Sequence, residues 1–203
     1  MNLAALKQKG KVIIGIDEAG RGPWAGPVVA SSLLFKSDNQ IKDYYSLIRD
    51  SKKLSKKKRA YIYSMLISDP NVEYNYSMIS NNIIDQTNIL KATKSAMLDS
   101  LKKHKYKHDM VLIDGNQIID YNIAPVEAII GGDDKVLAIA AASIIAKYIR
   151  DEYMIGLDQE YPQYGFAKHK GYGTKFHQDA LKEHGPCKYH RFSFKPVKEV
   201  ASA

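Results

Sequence analysis

Two adjacent acids, Asp17 and Glu18, close the apolar run "VIIGI" at residues 12–16, and the stretch from Gly20 to Pro27 holds five Gly and Pro in eight residues. Neighbouring carboxylates repel, and burying either without a positive partner is costly. A further acid, Asp114, lies in "DMVLIDGN" at 109–116, and Asp133 and Asp134 close "PVEAIIGGDD" at 125–134. If these runs lie side by side, Asp17, Glu18, Asp114 and Asp133 make a self-repelling cluster that divalent cations neutralise. All-oxygen donors favour Mg²⁺ or Mn²⁺ over zinc, because no cysteine and no convincing histidine pair accompanies them. Two such ions, roughly 4 Å apart, can activate water and stabilise the leaving oxygen of a phosphodiester.

Spacing alone leaves structural alternatives open. Asp17 and Glu18 could cap a turn, although a strand leading straight into paired acids suits that role poorly. Asp114 precedes Gly115 and Asn116 and, on spacing alone, reads as an ordinary turn residue. Asp133 and Asp134 both suit the first turn of a helix, where the dipole favours negative charge, and for at least one of them that is a sufficient account.

The cluster needs strands to deliver it. Residues 12–17 and 28–35 read as β-branched strands joined by the Gly/Pro segment. A helix over 51–69 follows, with Ser55 as cap and Ile62, Met65 and Leu66 as its apolar stripe. Residues 72–80 alternate like a strand, and 82–105 suits one long helix. Residues 109–116 read as a buried strand meeting a turn, and a short strand from 125 leads to a helix that starts at Asp133 or Asp134 and runs to about Ile149. After Asp151 the chain turns helical and then loop-rich, with a short helix to His184 and a frayed tail, "KPVKEVASA".

At 203 residues one α/β unit is expected, with a main domain over 1–155, which would carry the catalytic acids, and a C-terminal helical extension over 156–203. The 30 Lys and Arg against 22 Asp and Glu leave +8, which points to a polyanionic partner. Cys187 stands alone, "MNLAALKQKGK" lacks the apolar stretch of a signal peptide, and "VLAIAAASIIA" at 136–146 falls short of the roughly 20 residues that span a bilayer. A cytoplasmic protein with no membrane partner is expected.

"GIDEAGRGPWAGPVV" closely resembles the opening motif of type II ribonucleases H, the ribonuclease HII family. The match continues in order through "DSKKLS", "DQTNIL", "VLIDGN", "GGD" with "AAASIIAKYIRD", "YPQYGFAKHKGYGT" and "HRFSFKPV". The resemblance implies an RNase H-like mixed sheet flanked by helices, with a small C-terminal helical extension. It also implies metal-dependent endonucleolytic cleavage of RNA in RNA–DNA duplexes, including 5′ of a single ribonucleotide embedded in DNA, to give 3′-hydroxyl and 5′-phosphate ends. By motif position the metal-binding acids fall on Asp17, Glu18, Asp114 and Asp133. The chain departs from the commoner pattern in following Asp133 with Asp134, where many members have a small residue.

In the family the loop carrying Gly20, Arg21 and Gly22 contacts the ribose 2′-hydroxyl, and Tyr172 resembles the tyrosine that packs on the sugar at the RNA-to-DNA junction. Lys52, Lys53, Lys147 and Lys170 are candidate phosphate contacts. Lys56 to Lys58 are read as solvated, and His104 and His108 as decoration of a basic helix end. The sister type, ribonuclease HIII, usually carries a different loop after its acids and an extra N-terminal domain, which favours type II. A non-catalytic nucleic-acid-binding module fits the basic balance but leaves the acids unexplained. A small-molecule phosphotransferase lacks its "GxxxxGK" loop. A monomer is expected.

Overall fold

Five strands form one mixed sheet in the order β3-β2-β1-β4-β5 in the computed structural model, which describes residues 11–37 and 42–202. The N-terminal segment read for a signal peptide lies outside the described residues. The central strand β1 (Ile13–Ala19) pairs antiparallel with β2 (Val28–Phe35), which pairs antiparallel with β3 (Val72–Ile79). On its other side β1 runs parallel to β4 (Met110–Asp114), and β4 runs parallel to β5 (Val126–Ile129). These are the five strands that the β-branched runs predict.

Side-chain alternation divides the core in two. Ile14 and Ile16 face one side with Val111 and Ile113, under Ala96, Met97 and Leu101 of α3 (Ile89–Leu101). Leu33 faces the other side, under α1 (Lys56–Ser68) and the long helix α4 (Leu137–Glu160). Ser55 caps α1 through Lys58 N–H, and Ile62 and Leu66 are buried as their spacing requires.

Helix α4 meets the sheet at Gly15. A Cβ there would lie 2.2 Å from the backbone of Ala138 and Ile139, so only glycine allows this approach. Gly15→Ala is therefore expected to lower stability by about 1–3 kcal/mol, the usual cost of overpacking. Thermal melts of the two proteins check it, and an unchanged melting temperature would mean that α4 moves aside freely.

Four local expectations differ from the structure. The helix expected over 82–105 is two helices, α2 (Asn81–Gln86) and α3, because Asn88 adopts an extended backbone and caps the second through Lys91 N–H at 2.8 Å. The helix expected from Asp133 begins instead at Leu137 and runs on to Glu160. Gly131, in the left-handed region with φ of 64°, turns the chain into a single 3₁₀ turn at Gly132–Asp134 first. The tail is not frayed: α7 (Lys195–Ala201) buries Val197 against the same cluster as Leu181 of α6 (Lys175–His184). His104 is buried, with Nε2 2.8 Å from Ser32 Oγ and Nδ1 3.2 Å from Glu73 Oε1, while the ring of His108 stacks on Tyr121.

Helix α4 passes through residue 155, where the extension is taken to begin. Beyond it, a short helix α5 (Phe166–His169), α6 and α7 share a core with Ala25 and Met154. The loop after β1 is thus packed into the C-terminal helices. Among the described residues, no helix is long and apolar enough to cross a membrane.

Candidate active site

Parallel pairing delivers the acids to one edge. The register Ile16↔Ile113 places the next residues, Asp17 and Asp114, level at the C-terminal ends of neighbouring strands. Asp114 is in turn level with Ile129, two residues before the Gly131 turn that carries Asp133. Asp114 Oδ1 accepts a hydrogen bond from Gly132 N–H at 2.7 Å, which ties that turn to β4. Asp17, Asp114 and Asp133 then offer carboxylate oxygens that all lie within 4.8 Å of one another. This is where open α/β sheets bind ligands, outside the carboxyl ends of parallel strands.

The electrostatics of this group are unfavourable without a cation. Burial pushes the Asp17 carboxyl well above the usual carboxylate range, and the charges of Glu18, Asp114 and Asp133 push the same way. Burial raises Asp133 too, with Asp114 and Asp50 adding to it. Glu18 is raised by burial although Arg21, 3.4 Å away, pulls the other way. Burial disfavours the charged Lys52 ammonium, yet Asp17, Asp50, Asp133 and Asp114 together hold it above the ordinary lysine range. Three clustered carboxylates with no His or Cys among them suit a hard divalent cation, so the residues present fit Mg²⁺ or Mn²⁺.

Of the doubled acids, Asp133 joins this group and Asp134 turns away. Asp134 is exposed and pairs with Lys53 Nζ at 2.6 Å, which also takes Lys53 out of the cleft. Glu18 lines the cleft beside the three-acid group and reaches Arg21. Lys52 and Lys147 line a cleft of about 260 Å³ that opens on Asp17 and Glu18, with Gly20, Arg21, Gly22 and Tyr172 also in its lining. Lys147 also binds Asp151 at 2.7 Å. Lys170 does not line this cleft, because its ammonium is folded back to donate to the Ala167 carbonyl.

The Tyr172 ring is about half exposed, and its Cε1 lies 3.5 Å from where a Cβ on Gly22 would sit. Gly20, at φ of 98°, packs directly on the side chain of Arg150. Arg150 and Arg191, which the sequence reading passed over, are both fully buried beneath this lining.

A second polar group missed from sequence holds the Tyr172 loop. Cys187 N–H donates to His190 Nδ1 at 3.0 Å, His190 Nε2 and His177 Nε2 are 3.0 Å apart, and His177 Nδ1 lies 3.0 Å from the Tyr172 carbonyl. Those partners fix the tautomers, assigned from the network: His190 donates from Nε2, and His177 accepts at Nε2 and donates from Nδ1. Both rings are neutral in this arrangement, since an added proton would set two N–H groups against each other.

Burial, aided by the mutual proximity of the imidazoles and of His169, lowers His177 and His190 from the usual 6.5 to about 4. The folded state thus takes up these protons less readily than the unfolded chain. Their contribution to stability is complete above about pH 6.5 and is lost as the pH falls towards about 4, by about 3 kcal/mol for the first proton taken. Melting temperature recorded against pH checks this, and a level profile between about pH 7 and about pH 4.5 would contradict it.

The "Ribonuclease HII" family model matches residues 14–197. The chain is similar to ribonuclease HII of Chlamydia muridarum, with 50% identity over 195 residues that cover 96% of this chain and 87% of the relative. Its fold is similar to the crystal structure of ribonuclease H2 from Pyrococcus horikoshii, with a TM-score of 0.77 at 24% identity over 94% of this chain and 97% of that one. It is also similar to Bst-RNase HIII in complex with Mn²⁺, with a TM-score of 0.72 at 18% identity over 98% of this chain and 72% of that one. With its acids gathered at the end of a parallel strand pair and its matched segment reaching from β1 into α7, the chain belongs to the ribonuclease HII family of metal-dependent endonucleases that act on RNA–DNA hybrids.

Proposed function

We propose that this ribonuclease HII cleaves on the 5′ side of a ribonucleotide, including a single ribonucleotide embedded in duplex DNA, leaving a 3′-hydroxyl and a 5′-phosphate. It acts as a cytoplasmic monomer in the removal of ribonucleotides from DNA. The observation that supports the reading is one cleft lined by Asp17, the residue that joins it to the three-acid group, together with Glu18, the Gly20–Gly22 loop and the Tyr172 ring. Asp17, Glu18, Asp114 and Asp133 would hold Mg²⁺ or Mn²⁺, which would supply an activated water and charge stabilisation at the leaving oxygen.

The chain's own residues do the rest. Lys52 and Lys147 set positive charge beside the phosphate path, which offsets the repulsion between the acids and the nucleic-acid backbone. Arg21 holds the Glu18 carboxylate to the side of the cleft on which the loop lies. Tyr172, whose ring stands beside the side-chain-free Gly22, presents an aromatic face to a neighbouring sugar, and the loop backbone meets the 2′-hydroxyl.

Three labelled duplexes test this: one with a single ribonucleotide, one RNA–DNA hybrid and one all-DNA, each with Mg²⁺, Mn²⁺ or a chelator. Cleavage of the first two alone, on the 5′ side of ribose and abolished by the chelator, is expected. Failure on the single-ribonucleotide duplex with activity on the hybrid would overturn the junction-reading part, and cleavage of all-DNA would overturn sugar recognition altogether.

A further inference from the structure

The rim of the cleft is held by two buried cations whose hydrogen bonds all go to backbone carbonyls. Arg191 donates from Nη2 to the Gly20 carbonyl at 2.6 Å, from Nη1 to the Arg21 carbonyl at 3.0 Å and from Nε to the Gly26 carbonyl at 3.0 Å. Arg150 donates to the carbonyls of Pro27, Ala25 and Lys170 at 2.9, 3.1 and 3.0 Å. Neither guanidinium makes an ion pair among the described residues. Burying a cation without a paired anion is costly, and here backbone carbonyls supply every hydrogen bond that offsets it, helped by the Phe194 ring 5.1 Å from the Arg191 guanidinium and by the more distant charges of Asp85 and Asp151.

Peptide geometry gives those bonds a consequence. In a trans peptide the C=O of one residue and the N–H of the next lie in one plane and point in opposite directions. With the carbonyls of Gly20 and Arg21 turned inward to Arg191, the N–H groups of Arg21 and Gly22 turn outward, on residues that line the cleft. Among the described residues neither N–H has a hydrogen-bond acceptor. They are two adjacent free donors at the place where a sugar oxygen would arrive.

The two arginines also share one frame. Gly20 lies on the Arg150 side chain, and the same guanidinium reaches Lys170, two residues before Tyr172. Arg191 is itself fixed from both sides: its N–H donates to the Trp24 carbonyl at 2.7 Å, and Asp85 accepts from the N–H groups of Phe192 and Ser193, both at 2.9 Å.

We infer that Arg191, supported by Arg150, is a positioning residue for sugar discrimination: its planar fork turns the Gly20 and Arg21 carbonyls inward and so aims the Arg21 and Gly22 amides at the ribose 2′-hydroxyl. The inference rests on the proposed recognition of ribose by this loop. A lysine keeps the charge but not the fork, since an ammonium is a point donor with no fixed plane. Charge alone does not do this work.

Affinities for a single-ribonucleotide duplex and for the matched all-DNA duplex, with Ca²⁺ replacing the active metal, separate the two ideas. Wild type should prefer the ribonucleotide, and Arg191→Lys should reduce that preference about tenfold, the loss falling mainly on the ribonucleotide duplex. No preference in wild type would overturn the reading of the loop. A wild-type preference kept by Arg191→Lys, or equal loss on both duplexes, would overturn the role of Arg191. Should the variant fail to fold, amide NMR of the wild-type protein decides. Addition of the ribonucleotide duplex, compared with the all-DNA one, should shift the Arg21 and Gly22 amide protons, and unshifted amides beside a perturbed Tyr172 would overturn the inference.

Discussion

Asp17→Asn and Asp114→Asn should each lower single-turnover cleavage by more than about a hundredfold, beyond what loss of an outer-shell partner of a metal costs. Both should still fold. An asparagine oxygen at 17 can go on accepting the Glu18 N–H, and one at 114 the Gly132 N–H, so neither change breaks the local backbone bond. For Asp17 the sign of the stability change is opposite to that of activity. Its carboxyl is raised by burial and by Glu18, Asp114 and Asp133, so its charged form costs the folded state free energy at neutral pH. Replacing that charge with an amide removes the cost, and metal-free Asp17→Asn should melt at or above wild type.

Added Mg²⁺ or Mn²⁺ should raise the melting temperature of wild type more than that of either variant, because a ligand stabilises only the state that binds it. Asp133→Asn should behave as these do, whereas Asp134→Asn should stay near wild type: its pair with Lys53 is exposed, and water and salt screen such pairs so that they add little. Near-normal rates for Asp17→Asn at saturating metal, or a larger loss from Asp134 than from Asp133, would sink the assignment.

Tyr172→Ala should depress cleavage at a single embedded ribonucleotide much more than cleavage within a long hybrid under Mn²⁺. The acids act on a phosphodiester that RNA and DNA share, so discrimination must come from contacts with the sugar. A long hybrid offers many ribose sites and no junction to read, while a single ribonucleotide depends on the ring's contact with its neighbour. Stacking of a base on an aromatic ring is worth about 1–3 kcal/mol, and packing on a sugar has no second π-face, so a loss near the lower end, roughly tenfold in rate, is expected where the contact is made in the transition state. Tyr172→Phe should be milder, since the ring face carries the contact. Its backbone anchors, the Tyr172 carbonyl on His177 and the N–H donated to His169 carbonyl, remain in both variants. Equal losses on the two substrates would make Tyr172 a general binding residue.

Local pattern reveals whatever depends on residues near one another in the chain. The five strands follow from β-branched runs, the start of α1 from Ser55, and the acids from their places at the ends of apolar runs. Resemblance then adds which acids matter, a choice that spacing leaves open at Asp114 and Asp133. Even some misses carried a local signal: Asn88 is a capping residue standing inside the supposed single helix, and Gly131 with Gly132 precedes the delayed start of α4.

What only the tertiary structure decides are the pairings between distant residues. Which of Asp133 and Asp134 faces the other acids depends on how a 3₁₀ turn leaves β5 and on Lys53, far away in sequence, drawing Asp134 outward. The tail helix α7 exists because Val197 finds the C-terminal core, which no seven-residue stretch specifies by itself. Arg150 and Arg191 look like any surface arginines in sequence, since their partners are not acids at helical spacing but carbonyls of the 20–27 loop, up to 171 residues away. A backbone carbonyl is present at every residue and carries no sequence signature. So the amino-acid sequence by itself determines the strands and the acids at their ends, while only folding, by closing the C-terminal helices over the loop after β1, decides which buried cations hold that loop.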